Sequence, residues 1–117
     1  MKKIFLAVCI MVACVISAYA GILGCLSGEY EGERFCLNEY GKFIADVYNP
    51  EENTLVRVEG RVVDTYGEPI EINPGENVRV KFLLNKPLDG RKELSGDIGW
   101  ATNGQKFVNF GGIMFEN

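Results

Sequence analysis

The chain contains no histidine. That removes the side chain most often used as a general base near neutral pH, and the commonest ligand of transition metals. Ser-His-Asp and Cys-His nucleophiles and histidine-ligated metals are excluded. No GxGxxG, P-loop or CxxC pattern occurs either, so the usual sequence signatures for nucleotides, phosphates and zinc are missing. Basic residues are scarce. Setting aside Lys2 and Lys3 leaves 10 basic against 16 acidic side chains, a net charge of −6. A nucleic-acid-binding domain carries a basic footprint, and this balance argues against nucleic acid and against an anionic lipid surface. No cofactor or metal is expected.

Long apolar runs are absent with one exception. From Ile4 to Leu26 there is no charged residue, and Lys2 and Lys3 precede the run. Two lysines, an apolar stretch and the A-x-A site Ala18-Tyr19-Ala20 have the layout of a secretory signal. Cleavage between Ala20 and Gly21 is expected, leaving a domain of residues 21–117. Two other readings compete. About 20 apolar residues can stay uncut as a membrane anchor. Ile22-Leu23-Gly24-Cys25 also looks like a lipobox, with Leu23 bulky for its place. All three put the remaining chain outside the cytoplasm, since the lysines hold the amino end inside. The expected location is periplasmic or secreted, with membrane contact only if Cys25 is lipidated or the signal is uncut.

Of the four cysteines, Cys9 and Cys14 fall inside that signal. Cys25 and Cys36 remain, and an even pair in an exported domain reads as one disulfide. Gly28 and Gly32 lie between them, with Glu31-Gly32 placed for a hairpin tip. The rivals are two free buried thiols and lipidation of Cys25. An acylated Cys25 could not pair.

After the signal come short β-like runs separated by turn residues, without a capped 3.6-residue apolar period. Strands are expected at 28–30, 34–37, 42–48, 54–64, 70–72, 78–84, 97–102, 106–110 and 113–115. The clearest are 54–64, where Val56, Val58 and Val62 share one face, and 78–84, where Val78, Val80, Phe82 and Leu84 do. Gly60 suggests a bulge or close neighbour. Residues 86–96 read as a polar loop, and Asn103-Gly104 as a type I′ hairpin turn. Turns every 8–12 residues or so indicate an all-β domain. A small antiparallel sandwich of about seven strands is expected, with a small closed β-barrel as the alternative.

The run Val47-Tyr48-Asn49-Pro50, then Leu55-Val56-Arg57-Val58, then Ile72 to Val80 with its Pro74-Gly75 turn, resembles an immunoglobulin-like sandwich. It covers roughly a third of the chain. The resemblance implies a fold and no activity, and the antibody-type Cys…Trp…Cys order is absent, because both cysteines precede Trp100.

Few residues suggest a site. Arg57, Arg61, Arg79 and Lys81 fall on the polar faces of the two strongest strands. Paired, those strands would carry a basic stripe for an acidic partner, or a ladder of ordinary ion pairs. Trp100 suits an interface or a core. Glu29, Glu31 and Glu33 alternate, as a cation-collecting face or a solvated edge. No catalytic residue is assigned. The expected function is a non-enzymatic binding or structural domain of the envelope or secreted fraction, an accessory subunit or protein inhibitor, whose partner is another protein. The alternative is a small hydrolase acting on envelope glycans through carboxylates alone.

Overall fold

The computed structural model describes residues Gly24–Asn117. The signal region, including the Ala20–Gly21 cleavage site and the start of the lipobox, lies outside the described residues.

Among the described residues every regular element is a strand: β1 (Gly24–Gly28), β2 (Arg34–Leu37), β3 (Lys42–Asn49), β4 (Thr54–Asp64), β5 (Glu76–Leu88), β6 (Arg91–Trp100), β7 (Lys106–Phe110) and β8 (Ile113–Glu116). Each pairs antiparallel with the next, and β8 returns to β1 through Ser27↔Glu116 and Gly28↔Phe115. The protein is all-β, as its alternating runs indicate. The architecture is the closed barrel and not the immunoglobulin-like sandwich, and its strands number eight. The sandwich needs chain crossings between two sheets. Here every connection joins neighbours, because each turn is short enough to form a hairpin except 65–75.

That one long connection explains a further difference. Residues 70–72 do not pair as a strand. Ile70 and Ile72 are buried in the main core cluster, so this loop contributes apolar side chains instead of ladder bonds. Asp64 anchors its start by accepting from the backbone N–H groups of Tyr66 and Glu68 at 2.8 and 2.9 Å.

The interior is packed with phenylalanine. Phe35, Phe43, Phe82, Phe110 and Phe115 are all fully buried. Their rings meet at centroid distances from 4.8 to 6.5 Å. Eight strands enclose a space that side chains can just fill, and five large rings fill it here. Small residues let the wall close around them. A Cβ on Gly60 would sit 1.9 Å from the Leu83 carbonyl oxygen, the close neighbour its place within a strand suggests. On the outside, Phe107 lies over Gly99, where a Cβ would fall 1.8 Å from the ring.

Cys25 and Cys36 form a disulfide. They are directly opposed on β1 and β2, with sulfurs on the outer face. Closing so short a loop stabilises the fold by about 3 kcal/mol on the chain-entropy argument. The bond excludes lipidation of this sulfur in the same molecule. It belongs with an oxidising, non-cytoplasmic environment. Glu31-Gly32 is at the hairpin tip as expected, in a turn where Glu33 N–H donates to the Tyr30 carbonyl at 3.0 Å.

The strand expected at 28–30 begins earlier and ends at Gly28, because 29–33 is turn. Glu29, Glu31 and Glu33 therefore do not share a face. Glu33 is buried and accepts from Tyr30 N–H at 3.0 Å and Tyr48 N–H at 2.9 Å, tying the first hairpin to β3.

The largest difference concerns residues 86–96. They are not a loop but the upper parts of β5 and β6. The tight turn is Asp89-Gly90, both with positive φ (51° and 77°), the type I′ geometry. Asn103-Gly104 does not have it. Only Gly104 has positive φ, at 92°, and Ala101 N–H reaches the Gln105 carbonyl at 2.8 Å. That is the three-residue hairpin with a left-handed glycine.

Candidate functional site

The barrel wall is incomplete between β4 and β5. The ladder between β4 and β5 runs from Asp64↔Val80 only to Gly60↔Leu84. Residues 54–59 of β4 pair with β3 alone. On the other side, β5 bulges. Its register with β6 passes from Leu83↔Glu93 to Leu88↔Arg91, so residues 84–87 stand against Lys92. Pro87, which has no N–H to give a ladder, lies in this stretch. The result is a cleft of about 430 Å³ between Val56–Glu59 and Asn85–Leu88.

The direction of the free backbone groups follows from one side-chain contact. Tyr48 N–H donates to Glu33 and so points away from β4. Tyr48↔Leu55 is then a non-hydrogen-bonded pair. Alternation along an antiparallel ladder makes Asp46↔Arg57 and Ile44↔Glu59 the same kind. The N–H and C=O groups of Leu55 and Arg57 and the N–H of Glu59 therefore point to the β5 side, where the cleft lies, while the Glu59 carbonyl takes the last ladder bond, from Asn85 N–H, that the Gly60↔Leu84 pair requires. Val62 N–H bonding the Gly41 carbonyl at 2.8 Å fits the same phase, with even-numbered residues facing β3.

A second depression, of about 440 Å³, crosses the outer wall from the disulfide over Ile44 to Glu59 and Asn85, where it meets the cleft. Ile44 is exposed here. Tyr30, Tyr48 and Leu55 form an apolar patch at the turn end of β4. The two tyrosine rings are 4.9 Å apart, and Tyr30 and Leu55 are exposed.

Beside the cleft lies the clearest electrostatic feature. Asp46 receives Arg57 Nε at 3.0 Å and Arg34 Nε at 3.1 Å, across β2, β3 and β4. The Arg57 guanidinium, joined by Arg34 and opposed by partial burial, holds the Asp46 carboxyl below its usual range. A depressed folded-state pKa contributes stability above the unfolded value and loses it as pH falls through the folded one. Asp46→Asn is expected to lower stability by up to about 1 kcal/mol near neutral pH. The difference from the parent should vanish in strong acid. Urea midpoints at the two pH extremes measure this.

The four cations of the expected stripe are placed on the outer face as their alternation implies, but in a line and not a cluster. Lys81 pairs with Val63 and Arg61 with Leu83, so Arg57 and Arg79 are about 26 Å apart along the strands at ~3.3 Å per residue. Arg57 is tied to Asp46, Arg79 lies across from Asp97, and Arg61 from Lys42. Trp100 is partly buried against the core cluster, at the end of β6 away from the cleft. Sequence reasoning missed Asn85, Lys86, Pro87 and Leu88, which form one wall of the cleft. The Asp89-Gly90 pair was the available signal, because it requires two strands to continue to it.

Among the described residues no group of three or more His, Cys, Asp or Glu is arranged to hold a metal. No protein-family model, curated protein or solved structure matches the chain.

Proposed function

We propose that this chain is an exported binding domain without catalytic activity, an accessory subunit or protein inhibitor. It takes a protein partner along the open part of β4 and the groove beside it. The observation that carries this reading is a filled barrel whose wall nevertheless opens at Leu55–Glu59. Five buried phenylalanines leave little room inside for a small ligand, so recognition falls to the surface. Exposed backbone groups on a strand edge are a liability unless something covers them. The Cys25–Cys36 disulfide supports a site of action outside the cytoplasm.

The test is affinity capture from envelope and culture fractions with the disulfide-bonded protein, made from its full sequence by export. Lys86→Glu, in the cleft wall, is expected to lose the captured partner at least tenfold. Arg79→Glu with Lys81→Glu, at the other end of the line of cations, should keep it. Equal retention by both variants would overturn the reading.

A further inference from the structure

We infer that the partner contributes an extended strand that adds to β4, with apolar residues facing inward and an acidic residue facing outward opposite Arg57. This rests on the reading of the chain as a protein-binding domain and names the chemistry of that partner. Three observations lead to it.

The first is directional. Leu55 and Arg57 each present an N–H and a C=O toward the β5 side, and Glu59 its N–H, at every second residue. That spacing matches the donors and acceptors of another extended backbone, and strand addition is a recurrent way to bind peptides. A sugar or small anion would satisfy one or two such groups, not the whole series.

The second is the nature of the walls. Inward from the edge lie Val56 and Val58 of β4 and Leu88 of β5, which line the cleft. Val56 and Leu88 are only partly buried. An added strand would direct every second side chain toward them, and apolar side chains would cover them.

The third is charge. The remaining side chains of the added strand would face outward between Arg57 and Lys86. Asp46 is shared by two arginines, so the Arg34–Asp46–Arg57 row keeps one positive charge in excess, and Lys86 adds another; Glu59, on the same outward face, offsets one of them and leaves a single positive excess around Arg57. An acidic residue opposite Arg57 complements it. The same feature disfavours a second copy of this chain. A two-fold pairing centred on the open segment would set Arg57 against its own copy, and like charges directly opposite are unfavourable.

The probe is a blocked synthetic peptide of alternating valine and threonine with one central glutamate in place of a threonine, at millimolar concentration, with the full disulfide-bonded protein. Backbone amide exchange and cross-strand contacts are read by NMR. The expected result is slowing by tenfold or more at Leu55, Arg57 and Glu59, with cross-strand contacts to the peptide. Val56 and Val58, already bonded to β3, should not change. N-methylating alternate peptide nitrogens, or exchanging glutamate for lysine, should abolish the effect. No slowing at the three residues would overturn strand addition. If the captured partner still depended on Lys86, the binding-domain reading would survive that failure. Slowing that rises with protein concentration alone would assign the edge to a second copy and likewise overturn the inference.

Discussion

Phe35→Ala is expected to cost about 3–5 kcal/mol, the usual cost of deleting a buried ring. That is a large part of the 5–15 kcal/mol or so that holds an ordinary domain together. Phe35 is the hub of the interior. Its ring lies 5.2 Å from Phe43, 5.7 Å from Phe82, and 5.8 Å from both Phe110 and Phe115. Those four rings come from β3, β5, β7 and β8, so they are held apart by the wall and cannot easily collapse into the space. Edge-to-face and tilted arrangements also add to the area buried. Phe107→Ala removes the same side chain from the outer face and should cost much less, because that ring lies over Gly99 only partly buried. Urea unfolding of the two variants separates the roles. A Phe35→Ala loss under about 1 kcal/mol would mean that the interior is not packed as described.

Much of this fold is legible in the sequence. Val56, Val58 and Val62, and Val78, Val80 and Phe82, alternate so strictly that only a strand with one wet and one dry face accommodates them. The Cys25–Cys36 pairing could be anticipated from number and compartment. Alternation does not reveal whether the dry faces of two sheets meet or one sheet closes on itself, because both give the same period. The choice is made by connections. Here short hairpins leave no crossing, and the Ile113–Glu116 strand is free to return to β1. The site was harder to read. Its hydrogen-bonding groups belong to the backbone of Leu55, Arg57 and Glu59, and no side-chain pattern announces which strand edge is left unpaired. Lys86, Pro87 and Asp89 have the composition of a loop, and only the Asp-Gly turn contradicts it. Glu33 showed the same ambiguity. It sits in an alternating acidic run, yet its carboxylate is buried because two backbone N–H groups, of Tyr30 and Tyr48, converge on it.

The second large effect lies in the free protein and needs no partner. Amide exchange along β4 should alternate residue by residue. The N–H groups of Val56 and Val58 are bonded across to Val47 and Ala45, and they exchange only when the wall opens. Those of Leu55, Arg57 and Glu59 face the cleft and exchange nearly freely. The contrast is expected to be on the order of 100-fold or more, since opening energies in a folded domain run from near zero to the global stability. Arg61 and Val63 lie past the point where β5 joins and should be slow again. This pattern comes from the closed sheet, the phase of the β3–β4 ladder and the stop at Gly60↔Leu84 taken together. Residue-resolved hydrogen exchange by NMR on the disulfide-bonded protein is the most direct test. Fast exchange at 55, 57 and 59 beside slow exchange at 56, 58, 61 and 63 is the expected result. Uniform protection from 55 to 63 would show that the edge is already paired and would contradict the binding site built on it.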